Sequence, residues 1–234
     1  LILLEDNGTP TNPSDDHVTY RTTWVDQYSN TLMPTSIHSV AQDKNGTLGI
    51  GTASGILTIP YNVDFRSSNQ CMRVTIPRND GTNLVDYLLD NEQINAIAVD
   101  GANRLWIGTA TSGVFLMEPV GDVTDPLYYT METVAHFTTE NSIMPSNDIL
   151  SIAIQESTGE VFIGTGQGLV SYMSDATQTE DNYNNLYAYP NPVHPTYEGY
   201  ITIKGLVTDS EIRIVDSSGN LVKIIYGTGG SAVW

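Results

Sequence analysis

Apolar and polar residues alternate in short runs along most of the chain, and these runs recur at a nearly constant interval. Three segments align, at residues 37–59, 94–117 and 149–172. Each contains an alternating stretch, a turn with Asp, Asn or Gly, a stretch ending in Ile-Gly-Thr, a glycine-containing turn and a third stretch. The Gly-Thr pairs stand at 51–52, 108–109 and 164–165, which are 57 and 56 residues apart. Alternation predicts β-strands, and the recurrence predicts one structural unit copied three times.

A fourth strand follows the third in two of the units, at residues 71–76 and 133–138. Units of four short antiparallel strands are typical of β-propeller blades. Residues 1–4 and 18–25 resemble a third and a fourth strand, so we expect a part-blade before the first unit. The sequence therefore predicts an all-β chain with propeller blades in a partial ring over residues 1–177: three four-strand-type repeats and an N-terminal part-blade.

A second module is predicted after the repeats. Residues 178–187 are polar and non-periodic, as in a linker, and three prolines then fix an extended segment at 188–195. Strands are predicted at 201–204, 211–215 and 221–225. Residues 188–234 thus look like the start of an Ig-like β-sandwich, with about four of the roughly seven strands such a fold has. Since the chain begins without Met and reaches Trp234 without a stop signal, we expect a piece of a longer protein.

Charge excludes several function classes. The chain has 9 Lys and Arg against 27 Asp and Glu, a net charge of −18. Residues 1–187 hold 6 bases and 23 acids, or −17, and residues 188–234 hold 3 and 4, or −1. This negative net charge repels phosphate backbones and so disfavours nucleic-acid binding. No apolar run is long enough for a membrane-spanning segment, and the lone Cys71, expected in the core, excludes a disulfide framework or a cysteine-based zinc site within this chain.

No catalytic constellation is visible, so we predict no enzyme, no catalytic or metal-binding residues and no cofactor. The four histidines are far apart, and no Gly-x-Ser-x-Gly motif is present. The glycines at 164–168 lie between two strands, without the helix that would hold a phosphate. The turn at 43–47 offers oxygen ligands to calcium but lacks the bidentate Glu of an EF-hand, and its Asn-Gly pair also suits a plain hairpin. A polysaccharide lyase or hydrolase on a propeller is the enzymatic alternative.

Propeller topology nevertheless predicts where a partner would bind. The connections from fourth to first strands and the loops from second to third strands emerge at the same end of each blade, which we call the loop face. Its candidate binding residues are small, polar and mostly uncharged: Ser36, Ser54, Gln93, Thr111, Ser112, Asn147, Asp148 and Gln167. Such groups suit peptides or hydroxyl-rich ligands, although an ordinary solvated rim would look the same. One further position, filled by Gly49, Trp106 and Phe162, is expected to serve packing between blades.

Two motifs resemble known families. The pattern Ile-x-x-Ile-Ala-x-Asp, followed by Leu-Trp-Ile-Gly-Thr, resembles the two-component-regulator propeller family over residues 1–173. Tyr-Pro-Asn-Pro-Val at 189–193, with the segments at 205–206 and 216–222, resembles the sorting-type C-terminal domain of type IX secretion.

Together the two resemblances imply a non-enzymatic scaffold at the cell surface, outer membrane or periplasm. Its implied partners are secretion or surface-attachment proteins, and lipopolysaccharide or another glycan is a further option. The alternative is the periplasmic ligand-sensing region of a hybrid two-component regulator.

Overall fold

The computed structural model describes residues 1–78, 80–82, 84–121 and 130–234. These residues form strands and a single short 3-10 turn at Tyr183–Asn185, so the all-β prediction is confirmed. No helix in this part of the chain has the length and hydropathy to cross a membrane.

Two small sheets precede the first repeat. Strand β1 (Ile2–Glu5) pairs antiparallel with β2 (His17–Tyr20), and β3 (Trp24–Val25) forms a hairpin with β4 (Thr31–Leu32). Strand β1 lies at the predicted third strand of the part-blade, whereas the predicted fourth strand at 18–25 is divided between β2 and β3, which belong to different sheets.

The three repeats lie in three sheets, and the strands of each repeat pair antiparallel. The first contains β5 (Ile37–Gln42), β6 (Leu48–Thr52) and β7 (Gly55–Ile59). A hairpin of β8 (Thr75–Pro77) and β9 (Val85–Tyr87) follows it. The second contains β10 (Ile94–Val99), β11 (Leu105–Thr109), β12 (Val114–Val120) and β13 (Thr130–Phe137), and β8 joins its outer edge in parallel. The third contains β14 (Ile149–Gln155), β15 (Glu160–Thr165) and β16 (Gly168–Met173).

The predicted fourth strand at 71–76 is wrong in its extent, because this segment binds the N-terminal hairpin as well as the first repeat. Met72 alone bridges to Thr58 of β7. The backbone N–H of Cys71 donates to the carbonyl of Val25 (3.0 Å), and the amide of Gln27 bonds both backbone groups of Arg73. Backbone groups engaged in this way are not free to extend a ladder. Only the second repeat therefore has four consecutive antiparallel strands among the described residues.

Glycine at the end of the second strand lets consecutive repeats approach closely. A Cβ at Gly51 would lie 2.8 Å from Cγ2 of Ile94, and a Cβ at Gly108 would lie 2.5 Å from Cγ2 of Ile149. Both isoleucines begin the first strand of the following repeat and are fully buried. Trp106 is fully buried in the same cluster as Ile149, which confirms that its position serves packing between repeats. The core thus lies between the sheets.

The threonine of each Gly-Thr pair closes the turn between the second and third strands. The hydroxyl of Thr109 donates to the carbonyl of Gly113 (2.9 Å) and accepts from the N–H of Ser112 (2.8 Å). Thr52 and Thr165 make the same two bonds in the other repeats. The hydroxyl therefore satisfies backbone groups that the tight loop leaves without strand partners.

Replacing Thr109 by valine should lower the free energy of unfolding by about 1–3 kcal/mol, because the shape is kept while a buried carbonyl and an N–H lose their partner. Serine at the same position keeps the hydroxyl and should recover most of that loss. Urea unfolding of the two variants measures the difference; equal stability of Thr109→Val and wild type would contradict this role.

Cys71 should be chemically inert in the folded protein. Its side chain is 3% exposed, and desolvation, followed by the charge of Asp26, raises the pKa of the thiol to about 12. Because the thiolate is the reactive form, a thiol-specific alkylating reagent at pH 8 should label the urea-unfolded chain fully and the native chain much more slowly. Rapid labelling of native protein would show that Cys71 is accessible.

The C-terminal module has two small sheets. One is ordered β17 (Tyr187–Tyr189), β18 (Thr202–Lys204), β21 (Ser231–Val233), and the other is the hairpin of β19 (Glu211–Val215) and β20 (Leu221–Tyr226). It contacts the repeats through backbone: the N–H of Gly230 donates to the carbonyl of Thr177 (2.8 Å). A Cβ on Gly101 would lie 2.0 Å from that same carbonyl oxygen, so glycine permits this crossing.

Candidate binding face

Each repeat ties its two predicted loops together at one end of its sheet. The N–H groups of Ala53, Ala110 and Gly166 stand just after the Gly-Thr pairs and donate to carbonyls just before strand 1 of the same repeat. The acceptors are those of Ser36 (3.3 Å), Gln93 (2.9 Å) and Asp148 (2.9 Å). The same bond in three repeats explains how distant sequence segments come to share the loop face.

Most candidate side chains on this face already bind other protein groups. In the second repeat, the carboxylate of Glu92 accepts from the hydroxyls of Thr111 (3.1 Å) and Ser112 (2.7 Å). The side-chain amide of Gln93 donates to Oδ1 of Asn95 (2.8 Å). Glu92 therefore organises the loops of this repeat, a role that sequence reasoning did not assign to it.

Of the remaining candidates, two make hydrogen bonds within the protein and three have exposed side chains. The Ser36 hydroxyl lies 2.8 Å from Nε2 of His38, and Oδ1 of Asn147 accepts from the N–H of Thr139 (2.8 Å). The others are exposed: Ser54, Asp148 and Gln167. These three exposed side chains are therefore the ones that can meet a partner without breaking an internal bond.

A cleft of about 200 Å³ lies on the loop face, between the N-terminal hairpin and the start of the second repeat. Its lining combines an apolar side with polar and charged groups: Leu32, Met33, Pro34, Thr52, Ser54, Leu57, Arg73, Asp90 and Asn91. The Arg73 guanidinium lies over the ring of Tyr87, 3.5 Å from its centroid, and pairs with Asp90. Leu89 and Asn91 on either side of Asp90 have positive φ (51° and 66°), a conformation that costs free energy for such residues.

Of the residues that line this cleft, the sequence pattern indicated Ser54 as a binding residue but not Arg73 or Asp90. Arg73 lies in the segment predicted as an ordinary fourth strand, and no motif marks its pairing with a residue 17 positions later. The one available signal was the polar connection between that segment and the second repeat.

Local ion pairs occupy most of the few bases among residues 1–187. Four of the six pair with acids: Arg66 with Glu5, Arg73 with Asp90, Arg78 with Asp86, and Arg104 with Asp100. Because acidic residues remain in large excess, the electrostatic potential around the repeats is negative and opposes the approach of anions.

The aspartates that open the turns between first and second strands have structural partners. Oδ1 of Asp43 accepts from the N–H groups of Asn45 (2.9 Å) and Thr47 (2.8 Å). Desolvation raises the pKa of Asp43 although these N–H groups oppose it. Within the described ranges, no three His, Cys, Asp or Glu side chains are grouped as a metal site. The turn is explained without a cation, and calcium binding stays a hypothesis.

A larger network, which the sequence did not reveal, joins the second repeat to the segment after the third. The Asp100 side chain is fully buried and accepts from Nε of Arg104 (2.8 Å) and Nε1 of Trp106 (3.2 Å). Arg104 also donates to Asp175 (2.7 Å). Burial lowers the pKa of Arg104, but Asp100 and Asp175 outweigh it and leave the pKa above its usual value. This network is structural and lies away from the loop face, in the turn between the first and second strands.

The comparisons with known proteins agree with this architecture. The family model "Two component regulator propeller" matches residues 88–111, which run from the connection before β10 to the loop after Gly108-Thr109. None of the curated proteins matches the sequence.

Similar solved structures are bacterial. PorZ of Porphyromonas gingivalis, described as an essential surface component of the type IX secretion system, is 27% identical with a TM-score of 0.64; the match covers 100% of this chain and 30% of that one. The extracellular domain of a putative hybrid two component system from B. thetaiotaomicron is 19% identical, with 90% and 30% covered and a TM-score of 0.39.

The predicted resemblances to the propeller family and to a type IX secretion component are therefore confirmed, whereas the sorting role of residues 188–234 stays a prediction. This chain spans about 30% of the length of PorZ. Residues 88–111 match the two component regulator propeller model, and the chain is similar in fold, over its whole length, to part of PorZ.

Proposed function

We propose that this chain is part of a non-enzymatic scaffold at the cell surface or in the periplasm, which binds a protein partner in type IX secretion or surface attachment. The observation that carries the proposal is the similarity to PorZ over the whole chain. The shared end of the repeats supports it, since the same loop pair occurs in three copies and loops carried by β-sheets often form binding surfaces.

A scaffolding role agrees with the chemistry of the buried polar groups. Asp26, Asp43 and Asp100 are buried, and each accepts backbone N–H groups of its own turn. Their carboxylates hold the fold in place. Catalysis would need such groups poised toward a substrate.

Charge favours a protein over an anionic glycan as the direct partner. The repeats carry most of the chain's net charge of −18, and four of their six basic residues are ion-paired. Lipopolysaccharide with anionic groups would meet repulsion, whereas a protein with a basic surface would be attracted.

Capture from a detergent extract of outer membranes tests this function. The immobilised chain should recover type IX secretion components, and Glu92→Lys on the loop face should reduce recovery. Glu156→Lys is the matched control, because Glu156 is exposed in the turn at the opposite end of its sheet. Recovery of no secretion component, or equal loss with both variants, would contradict the proposal.

A sensor region of a hybrid regulator is the second candidate, favoured by the family match at residues 88–111. The gene sequence downstream of residue 234 distinguishes the two. A membrane helix followed by a kinase would establish the sensor and rule out the secretion scaffold.

A further inference from the structure

The cleft on the loop face contains an arginine that uses few of its hydrogen-bond donors. The Arg73 guanidinium has five N–H groups, yet its side chain donates a single hydrogen bond within the described part of the chain, to Oδ1 of Asp90. That side chain is only 20% exposed. Arg21 and Arg104, the other arginines of residues 1–187 that are not exposed, each donate three. Arg73 therefore keeps donors that a ligand can use.

The remaining donors of Arg73 are accessible from the cleft that this residue lines. Among the residues that the structure describes, Trp24 is the one side chain with a fully buried polar atom that lacks a partner, so the unbonded nitrogens of Arg73 reach solvent. The guanidinium is also held in place. It lies over the Tyr87 ring, and the Gln27 amide bonds both backbone groups of Arg73 (2.8 and 2.9 Å). Such preorganisation lowers the cost of binding a ligand.

A carboxylate lies beside this guanidinium, on a strained piece of backbone. Asp90 uses Oδ1 to pair with Arg73, and Oδ2 accepts no hydrogen bond from the described residues. The Asp90 side chain is 46% exposed. Leu89 and Asn91, on either side of it, both have positive φ. Strain of this kind is concentrated at sites that bind ligands, so we interpret the pair of opposite charges as part of a binding site.

The rest of the lining is uncharged. Exposed Ser54 and Asn91 supply a hydroxyl and an amide. Four lining residues are apolar: Leu32, Met33, Pro34 and Leu57. All the lining residues lie within residues 32–91, and the cleft of about 200 Å³ would hold about seven waters at about 30 Å³ each. Its size therefore suits one small molecule that has both charged and apolar parts.

We propose that this cleft binds a free α-amino acid with an apolar side chain. The α-carboxylate accepts from the unused N–H groups of Arg73, the α-ammonium group donates to Oδ2 of Asp90, and the side chain packs against the apolar residues of the cleft. Charge selects this class of ligand. The two charges of the lining cancel, and a ligand without net charge is not repelled by the negative potential of the repeats. The site goes beyond the proposed scaffold function and does not rest on it.

Titration of the whole 234-residue chain with L-leucine tests the proposal. Binding should be saturable and should shift the Nε–H signal of Arg73 in NMR spectra. L-leucinamide lacks the carboxylate and N-acetyl-L-leucine lacks the ammonium group. Each should bind about tenfold more weakly, because a hydrogen bond between charged groups is lost. Glycine keeps both charges but has no side chain to bury, and it should also bind about tenfold more weakly.

Two aspartate variants separate ligand binding from a structural role. Asp90→Asn removes the charge that holds the ammonium group. It should weaken binding of L-leucine about tenfold and leave binding of N-acetyl-L-leucine unchanged, whereas structural damage would weaken both. Asp86→Asn is the matched control and should bind like wild type, because Asp86 pairs with Arg78 and does not line the cleft. If Asp90→Asn does not fold, the ligand series on the wild-type chain decides.

Three results would overturn the proposal. These are no saturable binding of L-leucine up to about 10 mM, equal binding of L-leucine and its two blocked derivatives, and equal weakening by Asp90→Asn and Asp86→Asn. Tighter binding of N-acetyl-L-leucine than of L-leucine would also contradict it and identify a simple carboxylate as the ligand. Capture of a protein partner is a separate measurement, so the scaffold function and the amino-acid site can fail independently.

Discussion

Replacing Asp100 by alanine should lower the free energy of unfolding by about 3–5 kcal/mol, the expected loss when one partner of a buried ion pair is removed. Arg104, 5% exposed, would lose its buried partner and keep only Asp175 and Ser174 at the edge of the network. Trp106 would also lose the acceptor of its indole N–H. Urea unfolding followed by tryptophan fluorescence measures both the stability and the changed environment of the indole.

Asp43→Ala is the matched control for Asp100. Asp43 opens the same turn in the first repeat and accepts the same two backbone N–H groups, but no arginine pairs with it among the described residues. Its loss should therefore be about 1–2 kcal/mol, the value of the turn hydrogen bonds alone. Equal losses for the two variants would show that the ion pair adds nothing.

Replacing Gly108 by alanine should destabilise the protein by about 1–3 kcal/mol through overpacking. The new methyl group would meet Ile149 at 2.5 Å for Cγ2 and 3.0 Å for Cβ, and that isoleucine is fully buried between two repeats. Neither the backbone nor the β-branched side chain can move away without separating the sheets.

Gly164→Ala tests whether this effect belongs to contacts between repeats. Gly164 occupies the same position in the third repeat, where a Cβ would meet only the Ser151 hydroxyl, an exposed group that can rotate. Its stability should change by no more than about 0.5 kcal/mol. Thermal unfolding of both variants gives the comparison. A loss at Gly164 as large as that at Gly108 would mean that the Gly-Thr pair serves its own turn only.

Much of the fold follows from local pattern. Alternation located the strands of the repeats, and the Gly-Thr spacing located equivalent positions such as Gly51 and Gly108, because both signals depend on neighbours within one hairpin. The position shared by Trp106 and Phe162 could be assigned to packing for the same reason. The loop face followed from strand order alone.

The features that the sequence did not reveal depend on partners far along the chain. The backbone of the segment at 71–76 bonds to Val25 and Gln27, some 46 residues earlier, and not to a neighbouring strand along its whole length. Arg104 meets Asp175 across 71 residues, and no periodicity encodes that contact. The cleft with Arg73 and Asp90 likewise arises where four segments meet. Such tertiary contacts determine the structure of these segments more strongly than the local sequence pattern does.

Site-specific photo-crosslinking in cells tests the central claim, that the repeats form a scaffold which binds its partner through the loop face. The probe is placed at Thr111 and Gln167 on that face, and at Asn45 and Ser157 in the turns at the opposite end; all four residues are exposed. A crosslink to a type IX secretion component is expected from the first two positions and none from the second two. Crosslinks from the opposite end alone, or from no position, would contradict it.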